Sequence, residues 1–168
     1  PQIGEVKNLD FPDVQRATLS NGIEVVYAQV SSVPVTRLAL EFNAGISADS
    51  AEKPGALTLM TDIMQEGTTT RDSKALAEAQ ERLGASISVG NSMDRSTANL
   101  STISTNLAPS LTLLSDVVRN PAFAPSEVER LRAQRLARLA SEKTQPQAIA
   151  SRAYTPLIFG EGHPYARP

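Results

Sequence analysis

The 168-residue chain, 40% apolar, is long enough to bury one sizeable core and reads as a single domain, residues 1–168. Its 16 basic and 18 acidic residues nearly cancel and lie scattered, which argues against nucleic acid or an anionic membrane as a partner. No run approaches the roughly 20 apolar residues that cross a bilayer and no leader pattern opens the sequence, so the expectation is a soluble chain, already processed or excised.

The segment Phe11 to Val30 reads as a hairpin, because Ala17-Thr18-Leu19 and Ile23 to Tyr27 flank the turn residues Ser20-Asn21-Gly22. After Pro34, the run Val35 to Phe42 alternates at period two and ends near Gly45, which predicts a third strand with one buried face. These three strands are expected to share one sheet. From Pro54 the period changes to that of a helix: Leu57, Met60 and Met64 form one stripe, Leu59 and Ile63 a second, and Gly67 closes it. So dense an apolar pattern predicts a mostly buried helix over about Pro54 to Glu66, packed on an antiparallel sheet.

A second helix is predicted over Ser73 to Leu83, with Asp72 or Ser73 as N-cap and Gly84 at the left-handed terminus. Two strands follow, Ala85 to Val89 and Ser96 to Ile103, joined by a loop holding Gly90, Asn91 and Asp94; Asn91 and Asp94 suit a turn and are assigned no chemistry. Asn106 is placed as the cap of a helix from Leu107 to Val118 that Asn120-Pro121 stops. Ser126 opens a charged helix to about Lys143, in which Val128, Leu131, Leu136 and Leu139 give a narrow apolar stripe and Arg130, Arg132, Arg135 and Arg138 occupy other faces, as on a solvated helix. A last helix, Pro146 to about Phe159, leads into a terminal loop, His163 to Pro168. Strands, helices, two strands and helices again make an α+β order: an antiparallel sheet with helices packed on one side.

With no cysteine there is no disulfide framework, thiolate zinc site or thiol nucleophile. With one histidine, His163, no two- or three-histidine zinc site can be assembled. His163 precedes proline in a loop and reads as a histidine hydrogen-bonded to backbone or solvent. An all-carboxylate site remains chemically open, though oxygen ligands alone suit calcium, magnesium or manganese better than zinc.

The segment Pro54-Gly55-Ala56-Leu57-Thr58-Leu59-Met60-Thr61-Asp62-Ile63-Met64-Gln65-Glu66-Gly67-Thr68 resembles P-G-L-A-H-F-L-E-H-M-L-F-K-G-T of the pitrilysin/insulinase family of zinc metallopeptidases, at equal length and with the proline and glycines in register. Leu19-Ser20-Asn21-Gly22, Phe42-Asn43-Ala44-Gly45, Glu81-Arg82-Leu83-Gly84-Ala85, Asn120-Pro121-Ala122-Phe123 and His163-Pro164-Tyr165 are similar to further landmarks of that family, in the same order. The resemblance implies an insulinase- or processing-peptidase-like α/β roll, here incomplete at its C-terminus and part of a larger multi-domain bacterial protein. It also favours a periplasmic location.

In the family motif H-x-x-E-H, residues at i, i+3 and i+4 share a helix face, so two imidazoles hold zinc while the glutamate activates its water. The matching positions here are Thr58, Thr61 and Asp62. The family's third ligand is a glutamate in a later helix, and the resemblance places Leu131 and Arg138 where carboxylates would fall. A threonine hydroxyl is a poor zinc ligand with no basicity near neutral pH, and an arginine repels the metal. The implied reading is a degenerate, non-catalytic domain with vestigial positions Thr58, Thr61, Asp62 and Arg138. It binds no cofactor itself, with zinc only in a catalytic insulinase-type half, and it helps enclose a chamber for peptide substrate. That half is a separate subunit or a fused domain. On a plainer reading Thr58, Thr61 and Asp62 are ordinary polar residues on a helix facing a cavity or a partner domain. The alternative function is an independent metallohydrolase with an atypical carboxylate site, Asp62 with Glu66 or Asp94.

Overall fold

A computed structural model describes residues 12–166. Phe11, at the start of the predicted hairpin, and Arg167-Pro168 of the terminal loop lie outside the described residues. The chain divides into two compact units, residues 1–34 and 35–168.

The first unit is an antiparallel hairpin of β1 (Val14–Thr18) and β2 (Glu24–Ala28), in register from Val14↔Ala28 to Thr18↔Glu24. Its turn is a three-residue loop, Ser20-Asn21-Gly22, in which Gly22 and not Asn21 takes the left-handed region. Leu19 N–H donates to the Ile23 carbonyl at 2.8 Å, Gly22 N–H donates to Leu19 at 2.9 Å, and Gly22 takes φ 88°, a conformation open to glycine.

The second unit is organised by β3 (Val35–Phe42), β6 (Ala85–Asn91) and β7 (Ser96–Ile103), an antiparallel sheet in the order β3-β7-β6. The third predicted strand therefore does not join the hairpin's sheet. Its register aligns Leu38 with Leu100 and Leu40 with Ala98, so its apolar face is satisfied by β7, a partner distant in sequence. Ile87 and Val89 complete the two rows, since they pair with the same Leu100 and Ala98.

Helices α2 (Ser73–Leu83) and α3 (Leu107–Arg119) cover that face, closing a core of Leu76, Ala79, Ile87, Val89, Ala98, Leu100, Leu113, Leu114 and Val117, with Met64 at its margin. Asp72 caps α2 by accepting from Ala75 N–H at 2.8 Å, and Gly84 ends it in the left-handed region. Asn106 does not cap α3. Its amide donates instead to the Leu83 carbonyl at 2.9 Å, answering an orphan acceptor at the end of α2, and a 3-10 turn over Ser104–Asn106 leads into α3.

The helix predicted from Pro54 is α1 (Ala56–Ile63), extended by a 3-10 turn over Met64–Glu66. The Asp49 carboxylate receives Gly55 N–H at 2.7 Å and Leu57 N–H at 3.0 Å, which supplies the N-terminal cap from a distance. α1 is less buried than its apolar density predicts. Thr61 and Ile63 are buried, Leu57 and Leu59 half-buried and Met60 40% exposed, because α1 lies along the edge strand β6 with α4 (Pro125–Glu142) on another side. Two short strands, β4 (Gly67–Thr68) and β5 (Arg71–Asp72), link α1 to α2. The Asp116 carboxylate fastens this link to α3 by accepting from Thr68, Thr70 and Arg71 at 2.8, 3.1 and 2.8 Å. The last helix is α5 (Pro146–Phe159).

Candidate functional site

The period-two phase that points Ile87 and Val89 toward the helices also carries Asn91, which pairs with Ser96 at the end of β6. Its amide meets the face of α1 that carries Thr58 and Thr61. Asn91 Nδ2 donates to Thr61 Oγ1 at 2.6 Å, Thr58 Oγ1 donates to Asn91 Oδ1 at 3.2 Å, and Thr61 Oγ1 donates to the Thr58 carbonyl at 3.0 Å. Thr61 is 1% exposed. One turn on, Gln65 Nε2 donates to the carbonyls of Thr61 at 3.1 Å and Val89 at 2.9 Å. These contacts fasten α1 to β6 with neutral hydrogen bonds. Asp62, the third vestigial position, is exposed.

The neighbouring helix α4 turns Val128, Leu131, Arg135 and Leu139 inward, all half-buried. Arg138 faces solvent, its side chain 64% exposed and 3.7 Å from Glu142. Glu142 also accepts a 2.6 Å hydrogen bond from Arg152, and that bond, with the charges of Arg152 and Arg138, holds its carboxyl below the usual range. The cation beside α1 is therefore Arg135. A Cβ added to Gly55, at the start of α1, would lie 2.9 Å from Arg135 Nη2, and Arg135 Nη1 is buried without a hydrogen-bond partner among the described residues.

Two of the three carboxylates of the alternative metal site, Glu66 and Asp94, have other engagements. Glu66 pairs with Arg130 at 2.8 Å and accepts from Ser73 at 3.2 Å, and Asp94 accepts from the Tyr165 hydroxyl, which raises the phenol pKa. His163 stacks on Phe159 with ring centroids 5.4 Å apart, and its Nδ1 accepts from Tyr165 N–H at 3.1 Å, a loop histidine hydrogen-bonded to backbone. Among the described residues, no three of the histidine, aspartate and glutamate side chains converge in a way that could hold a metal ion.

Zinc does not fit this donor set. The positions that meet are two hydroxyls and two amides, already partnered with one another or with backbone; the Asp49 carboxylate at the start of α1 is engaged by the Gly55 and Leu57 N–H groups, and the Arg135 guanidinium lies beside it. Asn91, Gln65 and Arg135 were not among the predicted site residues. Asn91 continues the buried phase of Ile87 and Val89, and Arg135 continues that of Val128 and Leu131, so periodicity carries a signal for both.

Comparison with known proteins gives this geometry its family. The family described as insulinase (peptidase family M16) matches residues 24–159. A solved structure described as a peptidase M16 inactive domain, from Pseudomonas fluorescens, superposes with a TM-score of 0.86 at 31% identity, covering 93% of this chain and 38% of that one. An uncharacterised zinc protease of Mycobacterium leprae is 24% identical over 155 residues, and the beta subunit of the mitochondrial-processing peptidase of Dictyostelium discoideum is 26% identical over 126 residues. The matches cover 92% and 72% of this chain but 35% and 26% of those relatives, so the chain spans about a quarter to a third of their length. With the matched segment running from β2 to the end of α5, the chain belongs to the insulinase family of peptidases, M16.

Proposed function

We propose that this chain is a non-catalytic domain of an M16 peptidase, which encloses a peptide chamber beside a catalytic half and binds no zinc itself. The observation that carries this reading is the closed network that Asn91 makes with Thr58 and Thr61, the positions where the family motif places its first ligand and its base. A hydroxyl that is 1% exposed and bonded on both sides has neither the basicity to activate water nor room for a metal-bound one. The similarity to a structure described as an inactive M16 domain supports the same reading.

A partner is supported by α5. Ile149, Tyr154 and Leu157 are 50%, 61% and 83% exposed at spacings of five and three residues, which puts them with Ala150 and Ala153 on one outward apolar face. The catalytic half, as a separate subunit or a fused domain, is the partner of this reading, and zinc belongs to it alone.

The test is hydrolysis of an unstructured fluorogenic peptide by the purified chain, with added zinc and with added chelator. No cleavage above the blank is expected under either condition. Cleavage that zinc restores and chelator removes would overturn the proposal.

A further inference from the structure

The sheet of the second unit has a polar face turned away from the core helices, and its composition selects a ligand. The register puts three cross-strand rows on it: Arg37–Ser101–Ser86, Ala39–Asn99–Ser88 and Glu41–Thr97–Gly90. Apart from Arg37 and Glu41 at the β3 edge, no side chain in these rows is larger than asparagine. Over the first two rows this leaves a trough of about 320 Å³, lined by Arg37, Ala39, Ser86, Ser88, Asn99 and Ser101.

Ser86, Ser88 and Asn99 are exposed, and they offer hydroxyls and an amide that donate and accept. The two charges on the face differ in their engagement. Glu41 is ion-paired with Arg95, whereas Arg37 makes no ion pair among the described residues and is exposed. The trough therefore presents one uncompensated guanidinium beside a floor of small hydrogen-bonding groups.

We infer that this trough binds a peptide segment carrying an acidic side chain, whose carboxylate pairs with Arg37 while its backbone amides meet Ser88, Asn99 and Ser101. The inference rests on the peptide-chamber reading and adds a substrate class to it. Guanidinium matches carboxylate in geometry as well as charge, and a trough floored by alanine and serines admits a backbone that larger side chains would hold off. An exposed pair of this kind discriminates modestly and weakens with salt.

The experiment is fluorescence anisotropy on the 168-residue chain, with a labelled peptide of alternating glutamate and serine and its glutamine twin, at low and high ionic strength. The glutamate peptide is expected to bind about fivefold more tightly at low salt. Arg37→Gln should erase that preference and leave the glutamine twin's affinity unchanged, and Ala39→Leu should weaken both by filling the trough. A preference that survives Arg37→Gln overturns the inference. Equal binding of both peptides, lost in Ala39→Leu, overturns the acidic preference and leaves the peptide-chamber reading standing. Binding of neither peptide removes the trough as a site and counts against that reading as well.

Discussion

If the vestigial motif now serves as a fastener between α1 and β6, removing Asn91 should loosen the protein by a calculable amount. Asn91→Ala deletes the 2.6 Å bond to Thr61 Oγ1 and the 3.2 Å bond from Thr58 Oγ1. Each is worth about 1 kcal/mol net, and water cannot easily replace the first because Thr61 is 1% exposed. A loss of about 2 kcal/mol follows, which lowers the melting temperature of a chain this size by about 4–8 °C. Thr61→Val removes the shared 2.6 Å bond from its other end and leaves the Asn91 amide half-buried without that acceptor, at a cost of about 1–2 kcal/mol. Because both single substitutions delete the same bond, the double variant should be more stable than simple addition predicts, by about 1 kcal/mol. Urea titration followed by far-UV circular dichroism measures all four corners of the cycle. Additivity within about 0.3 kcal/mol would show that Asn91 and Thr61 do not act on one another, and the fastener would be refuted.

Three further outcomes are expected. Gly45→Ala should cost at least about 2 kcal/mol, since its Cβ would lie 2.3 Å from the Met93 carbonyl oxygen, whereas Gly90→Ala, with nothing within 4 Å, should change the urea midpoint little. Burial disfavours the charge on Asp116, but hydrogen bonds from Asn120, Thr68 and Thr70 and the charge of Arg71 outweigh it and hold its carboxyl below the usual value. Its contribution is therefore present above the unfolded-state pKa, near pH 4, and is lost as pH falls through the lower folded one; Asp116→Asn should flatten the acid limb of stability against pH. In a chain carrying Thr58→His, Thr61→Glu and Asp62→His, zinc should bind weakly. Adding Arg135→Glu should raise the affinity more than adding Arg138→Glu, because Arg135 lies against the start of α1 and Arg138 faces solvent; competition with a chelating dye decides between them.

Much of the fold was legible because local signals and packing agree. Asp72 and Gly84 bracket α2 where cap chemistry places them, and the alternation of Val35 to Phe42 yields β3 over the same residues. The pairing of β3 was not legible: alternation sets which face is buried and does not name the strand that covers it, so Leu38 and Leu40 found β7 rather than the hairpin. The cap role of Asn106 failed for a related reason, since an amide at a helix start can serve any nearby orphan carbonyl, and that of Leu83 was in reach. At the site, the positions Thr58, Thr61 and Asp62 were marked by the motif, but what meets them comes from two other elements. Asn91 reaches α1 only once β6 is laid against it, and the choice between Arg135 and Arg138 depends on how α4 is rotated about its axis. Aligned position alone favours Arg138, and the buried stripe through Val128, Leu131 and Leu139 turns Arg135 inward.

The central claim, that α1 carries a hydrogen-bonded fastener in place of a metal site, is tested most directly by zinc titration of the purified chain with a competing chelating dye. The account predicts that the dye reports its own affinity undisturbed, with no zinc drawn to the protein, and that Thr58→Ala and Thr61→Ala leave the curve unchanged. One zinc held per chain more tightly than by the dye, and released by either substitution, would contradict it.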